Sequence, residues 1–328
     1  MNIRFQNLTR VLYFCFILTF LLTSSGYSQE ETAKYPSRPI TFIDPMLPGN
    51  SGDLAIRLLG KEAEKYLGQP IVVVNKPGGG GTIGAAAIAN AKPDGYTIGQ
   101  SSVAASLFVI PYFEKVPYHP TKDLRQIMQY SAPNFGVIVK ADSPFKSFMD
   151  LIAYARQNPK KLTYGTNGPN SLSNLLMEQI AKKEGVQFTH IPFKSSPDFQ
   201  TALLGGHVLF TAGDFSHSLI ESGQTKLVLL LAEQPRVEYP QIPIPKDIGY
   251  EIPFPGMISV TAPKGIPDEI AKKLEEAFTK GMKEQAFLKG MKDLRLPIVY
   301  RNSKELSDYV AHNYEFFGKL LKDSGLTK

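Results

Sequence analysis

Small, hydrogen-bonding residues recur at two places where an apolar strand gives way to a helix. The first is Ile40–Leu59, ITFIDPMLPGNSGDLAIRLL, and the second is Leu162–Ile180, LTYGTNGPNSLSNLLMEQI. A helix start carries backbone N–H groups without partners and a partial positive charge, so it attracts anions. Gly49, Asn50, Ser51 and Gly52 can offer N–H groups without bulk, and Asp53 or Ser51 can cap the helix. Thr166, Asn167, Gly168, Asn170 and Ser171 offer the same in the second stretch, with added hydroxyl and amide donors. Two such turns in corresponding places predict two lobes gripping one anion from opposite sides.

Other chemistry has less behind it. Gly79–Gly84, GGGTIG, satisfies a dinucleotide-binding glycine pattern, but that fold also wants an acid at the end of the next strand, where Gln100 stands. These glycines are expected to serve a tight turn and close packing. Gly49–Asp53 approaches a nucleophile elbow, with Asp53 where the last glycine belongs. A hydrolase using Ser51 or Ser171 is the rival reading, but it needs a base, and no histidine adjoins either loop in sequence. The histidines at 119, 190, 207, 217 and 312 have no metal-site spacing, so no metal is expected from them. Asp214 follows the apolar run Val208–Ala212 and either meets a donor on a ligand or caps the next helix. Asp44 sits at the inner end of the first strand, where an unpaired charge is costly. It binds a cation or amino group, or braces a neighbouring loop.

These residues need a scaffold, and the 328-residue chain is long enough for two α/β lobes. Its make-up, 43% hydrophobic and 20% charged, is that of a globular protein. Arg4, Arg10 and the apolar run Val11–Leu22 read as an export signal, cleaved after Ser28 (residues 1–28). Cys15, the only cysteine, lies in that segment, so the mature chain can form neither disulfide nor thiol nucleophile. Loss of Arg4 and Arg10 lowers the net charge from +6 to +4, and the surplus Lys280, Lys283, Lys289 and Lys292 are spread along helices. That spread reads as a solvated face rather than a nucleic-acid patch.

Strands are expected at Pro39–Ile43, Ile71–Asn75 (buried in a parallel sheet) and Tyr96–Gln100, with helices at Gly52–Tyr66 and Thr82–Ala91. A second series runs through strands Val137–Lys140, Leu162–Gly165, Phe188–Ile191, Val208–Ala212 and Leu227–Ala232. Its helices are expected at Ser147–Gln157, Ser171–Glu184 and Pro197–Leu204. The proline-rich Tyr239–Pro255 reads as an extended return, Met257–Ala262 as a crossing strand, and Asp268–Lys283, Gln285–Lys292 and Ser303–Ser324 as closing helices. The resulting fold class is α/β: a two-lobed, Venus-flytrap binding protein with a cleft between two doubly wound domains. Lobe 1 covers 29–130 and returns at 256–328, and lobe 2 covers 131–255. Two crossings between lobes would form a hinge.

An ordered set of motifs resembles the Bug-type solute receptors, the extracytoplasmic subunits of tripartite tricarboxylate transporters. It comprises YPSRPI from Tyr35, PGNSGD from Pro48, QPIVVVNKPGGGGTIGA from Gln69 and KPDGYT from Lys92. Pro117–Tyr118, Lys122–Asp123, Tyr164–Gly165, HIPFK from His190, LGGHV from Leu204 and APKGIP from Ala262 complete it. The resemblance implies a periplasmic protein that closes on a small carboxylate, docks on integral-membrane transporter subunits and works as a monomer without cofactor, metal or nucleic acid. It implies that the loop holding Met46, Leu47, Gly49, Asn50 and Asp53 and the loop holding Thr166, Asn167 and Ser171 grip the carboxylate, partly through water. Ser101, Ser102, Phe193 and Asp214 would line the rest. The chain departs from the family at Asp44 (usually Val), Asn50 (Gly), Asn174 (His), Phe193 (Tyr) and Ser195 (Gly), and has no tryptophan. The departures leave room for a polar or amino-bearing carboxylate.

Overall fold

The computed structural model describes residues 34–323 and 325–327; the export signal expected at 1–28 lies outside them. The chain divides into Met1–Ser37 and Arg38–Lys328, and the second unit carries every strand and helix described below.

Alternating apolar strands and amphipathic helices build two mixed sheets. The first takes β1 (Ile40–Asp44), β2 (Ile71–Asn75), β3 (Thr97–Ser101), β4 (Leu124–Ser131), β10 (Ile258–Pro263) and β11 (Ile298–Arg301), in the spatial order β11-β4-β10-β3-β1-β2. The second takes β5 (Phe135–Lys140), β6 (Leu162–Thr166), β7 (Phe188–Pro192), β8 (Phe210–Asp214) and β9 (Thr225–Leu230), in the order β7-β6-β8-β5-β9. The helices are α1 (Ser51–Leu67), α2 (Thr82–Ala89), α3 (Ala104–Phe108), α4 (Ile110–Phe113), α5 (Phe148–Gln157) and α6 (Leu172–Glu184). They continue with α7 (Ser196–Leu204), α8 (His217–Glu221), α9 (Asp268–Gly281), α10 (Gln285–Leu294) and α11 (Ser303–Asp323). Among the described residues no helix is long and apolar enough to cross a membrane.

In the first sheet Phe42 meets Phe278 of α9 edge-on at 6.3 Å, while α3 and α11 close through stacked Phe108 and Phe317. In the second, buried Tyr164 stacks on Phe210 at 5.1 Å, with Phe188 edge-on to both rings.

Strand direction decides where the loops go. β1, β2 and β3 are parallel, and β10 lies antiparallel between β3 and β4, so β4 runs with β3. The C-terminal ends of β1, β3 and β4 therefore share one edge, where Ser101 pairs with Ser259 and Ser131 with Ile258. In the second sheet β6, β7 and β8 are parallel and β5 opposes β8, pairing Phe135 with Asp214. The crossing from Ser131 to Phe135 joins this edge to the first. The return from β9 to β10 joins the same two edges.

Several elements differ from expectation. Ile71–Asn75 is an edge strand with Val72 and Val74 exposed, not a buried one, because β1 covers only one of its sides. β4 escapes the hydrophobic pattern, since its buried Gln126 and Gln129 find polar partners in Thr261 and Arg301 of the flanking strands. α3, α4, α8 and β11 are too short to leave a periodic signal. The glycine run folds as the expected tight turn. A Cβ at Gly84 would lie 2.7 Å from Pro45, so this turn packs directly against the first loop.

The close approach of β3 to its neighbours gives a test. A methyl at Gly99 would sit 2.4 Å from Ile88 Cδ1 and 2.5 Å from the Ile43 carbonyl, and the latter is backbone that cannot swing aside. Gly99→Ala should destabilise by about 1–3 kcal/mol, read as a lower urea midpoint at unchanged m-value.

Candidate functional site

Loop 1 links β1 to α1 and is held from below. Asn50, not Asp53 or Ser51, caps α1, its Oδ1 accepting from Gly52 N–H at 2.8 Å. Asp53 is 1% exposed and turns its carboxylate back under the loop. There it accepts from Gly49 N–H at 2.9 Å, from Arg57 at 3.0 and 3.1 Å, and from Asn75 Nδ2 at 2.8 Å. The Gly49 and Gly52 N–H groups are thus engaged internally, contrary to the sequence expectation. Among the described residues, the N–H groups of Leu47, Ser51 and Asp53 have no acceptor.

Asp44 belongs to the same brace. It is fully buried, and its Oδ1 accepts from Met46 N–H and Gln100 Nε2, both at 3.0 Å. Asn75 Nδ2 reaches Asp44 Oδ2 at 3.3 Å and the Met46 carbonyl at 3.0 Å. Burial is the main cause that raises Asp44 to about 7; the Met46 N–H opposes this, and neighbouring Asp53 adds to it. Burial also works against the charge on Asp53, but Arg57, Asn75 and the Gly49 N–H together bring it down to about 2.

Loop 2 links β6 to α6. Ser171 caps α6, accepting from Asn174 N–H at 3.2 Å and donating to the Gly168 carbonyl at 2.9 Å. Thr166 Oγ1 donates to the Gly168 carbonyl at 3.0 Å and lies 2.8 Å from His190 Nε2. Asn174 ties the Pro169 carbonyl at 2.8 Å and receives the Tyr164 hydroxyl at 2.7 Å. The N–H groups of Leu172 and Ser173, in the first turn of α6, have no acceptor among the described residues. Asn167 is exposed, its amide 3.3 Å from Ser196 Oγ.

The remaining sequence-selected residues fall on the same two edges. Ser101 closes β3 but is 7% exposed and engaged with Thr261 Oγ1 at 2.9 Å, so it braces the sheet. The Ser102 hydroxyl, one residue on, is buried and has no partner among the described residues. Phe193 follows β7, bonds Thr166 O through its N–H at 2.9 Å and packs beside Gly165. Asp214 ends β8, half-buried, with no hydrogen bond to its carboxylate among the described residues; burial lifts it to about 7.

Sequence reading passed over Asn75 and Arg57 beneath loop 1, and it named Gln100, His190 and Asn174 without placing them behind the two loops. Asp44 faces Asn75 and neighbours Gln100 once β1, β2 and β3 align in parallel register. Polar residues ending successive parallel strands were the available signal.

Polar ties flank the crossings. Asn134 donates to the Arg295 carbonyl at 2.8 Å and lies 2.9 Å from His217 Nε2, while Arg236 holds the Pro133 carbonyl at 2.6 Å. Arg295 pairs with Glu221, and Glu233 of the return segment accepts from Tyr309 at 2.7 Å and pairs with Arg301 at 3.2 Å. A hollow of about 800 Å³ lies elsewhere, lined by residues such as Arg125, Lys264, Asp268, Ser303 and Lys304, and no loop residue lines it. Chemically, the loop edges offer neutral N–H donors suited to an anion, and beside them one carboxyl group, Asp214, suited to a hydroxyl or amino group. The Ser171 hydroxyl is occupied by capping.

A family model described as the tripartite tricarboxylate transporter family receptor matches residues 55–326. A Cupriavidus necator protein, the UPF0065 protein in the gbd 5′ region, is 36% identical over 302 residues, 92% of each chain. The solved periplasmic binding protein BugD superposes with a TM-score of 0.75 at 28% identity, covering 90% of this chain and 100% of that one. An R. palustris protein solved with adipate has the same fold, with a TM-score of 0.77 at 23% identity over 89% of this chain and 99% of that one.

The unpartnered Asp214 predicts a pH signature. Its folded pKa lies above its unfolded value, so its contribution to stability is full below about pH 4 and is lost as pH rises through 7. His217, lowered to about 4 chiefly by burial, acts in the opposite sense at mildly acid pH, so the variant must be compared with the wild type. The melting temperature of Asp214→Asn should gain on that of the wild type as pH rises from 5 to 8. A constant difference would mean that Asp214 titrates normally.

Proposed function

We propose that this chain, which belongs to the receptor family of tripartite tricarboxylate transporters, captures a small carboxylate between loops 1 and 2 and delivers it to membrane transporter subunits. One observation carries the reading. Among the described residues, two helix starts keep N–H donors without acceptors, on sheet edges joined by a crossing of only three residues, 132–134. A carboxylate oxygen is a better acceptor for such groups than water when it arrives with complementary charge.

In this reading residues 29–130 and 256–328 form one lobe and 131–255 the other. They hinge on 132–134 and on the long return that ends at β10. Ligand shifts the population toward the closed form by exchanging solvent at both helix starts for its own oxygens. Loop 1 contributes Met46, Leu47, Gly49 and Asn50 as its rim, held in shape by Asp53. Loop 2 contributes Thr166, Asn167 and Ser171, while Ser102 and Phe193 line the sides and Ser101 supports them. Asp214 adds a contact for a hydroxyl or amino group, or donates a hydrogen bond itself when protonated. The chain binds and releases without chemical conversion, acts as a monomer, and works outside the cytoplasm after cleavage following Ser28.

The test is a thermal-shift screen of the mature chain with mono-, di- and tricarboxylates, including adipate. A ligand at a hundred times its dissociation constant should stabilise by about 2.7 kcal/mol. Gly168 has a φ of +91° and open space around its missing Cβ, so Gly168→Val strains loop 2 without overpacking it. That variant should weaken binding by about tenfold, and unchanged affinity would remove loop 2 from the site.

A further inference from the structure

Beneath loop 1, two carboxyl groups lie close to one cation, which bonds only Asp53. Arg57 gives its Nε and one terminal nitrogen to Asp53 and also reaches Asn75 Oδ1 at 2.9 Å, but makes no bond to Asp44. Asp44 is the more deeply enclosed of the two and receives only neutral donors: Met46 N–H, Gln100 Nε2 and Asn75 Nδ2. The two carboxyl groups meet at one amide: Asn75 Nδ2 reaches Asp44 Oδ2 at 3.3 Å and Asp53 Oδ1 at 2.8 Å. Like charges so placed disfavour each other's ionisation, and the cation here bonds only one of them.

The surroundings show which one yields. Asp53 and Arg57 face Asp44 from α1, and Tyr130 of β4 approaches through Gln100, to which its hydroxyl donates. Tyr130 keeps its proton, since burial first and the two aspartates next raise it far above the ordinary value. Asn75 and Gln100 complete the shell without titrating. Asp44 is thus the group that can gain or lose a proton near neutrality.

We propose that Asp44 and Asp53 hold one proton between them beneath loop 1, and that an anion seated on this loop draws the proton in, so that carboxylate and proton bind together. This rests on the carboxylate reading above. Asp44 acts as a positioning residue: it fixes the Met46 N–H and, through Asn75, the Met46 carbonyl, and its charge opposes an incoming anion. Protonation removes the opposing charge and leaves an O–H that Asp53 accepts. Binding the anion raises the affinity of Asp44 for its proton, so anion affinity must rise as pH falls through 7.

The experiment has two arms. Infrared difference spectra of the ligand-free chain between pH 6 and 8 should show protonated-carboxyl absorption that loses the Asp44 share in Asp44→Asn and keeps that of Asp214; undiminished absorption in the variant overturns the shared proton. Calorimetry with adipate, whose carboxylates stay ionised from pH 6.5 to 8.5, should show binding tighter by about threefold or more at the lower pH. Run at pH 7.5 in buffers of different ionisation enthalpy, it should show uptake of about half a proton per ligand. In Asp44→Asn, which keeps an acceptor for the Met46 N–H, binding should lose most of its pH dependence and proton uptake, and Asp44→Asn combined with Asp214→Asn should lose the rest. Uptake unchanged in the variant, or wild-type affinity flat with pH, overturns the coupling. Absence of any heat with adipate and of any thermal shift across the carboxylate screen counts instead against the carboxylate reading, and the infrared arm still decides the shared proton.

Discussion

A backbone N–H at the start of a helix must find an acceptor or stay in water, and this requirement organises the candidate site. Loop 1 and loop 2 each leave the sheet at the end of a parallel strand and enter a helix within a few residues. Each spends part of its donor set on internal caps, Asn50 in one and Ser171 in the other, and keeps the rest unpaired among the described residues. A caged loop with a few unsatisfied donors recognises an anion with little reorganisation, because its geometry is set before the ligand arrives.

The two cages are built differently. Loop 2 rests on neutral groups: the Thr166 and Ser171 hydroxyls, the Asn174 amide and a His190 ring whose affinity for a proton is lowered by burial. Loop 1 rests on two carboxyl groups and a guanidinium, and burial raises one of those carboxyl groups to about 7. The asymmetry follows from what ends each strand. Asp44, Asn75 and Gln100 cluster at the end of one sheet, whereas Thr166 and Pro192 close the paired strands in the other.

Around the crossings, charged and polar groups link the two sheet systems. The Arg295–Glu221 pair is exposed, and such pairs contribute little in solvent. Arg236 differs: burial lowers it to about 10, and it is held by the Pro133 carbonyl and the Asn134 amide oxygen, so its bonds fix the path of the short crossing. Fixed strands on either side of a three-residue crossing leave few torsions able to turn, which suits the hinge proposed above.

Most of the architecture was legible in the chain itself. Hydrophobic periodicity placed β1, β6, β8, α1, α6 and the closing helices within a residue or two, because long amphipathic segments carry their burial in their spacing. The two strand–loop–helix turns were legible for the same reason, since small residues between an apolar run and a helical stripe have few other uses. β4 was not, because a buried strand rich in glutamine looks like a surface until its partners are known. Neither was the role of Asp44. Its sequence neighbours say only that a carboxylate is buried; Asn75, Gln100 and Asp53 come from 31, 56 and 9 residues away. The chain alone determined where donors would be exposed, a local property of turns and helix starts. Tertiary structure alone decided which of them stay free and which charges share a proton, because both depend on groups brought together by parallel strand register.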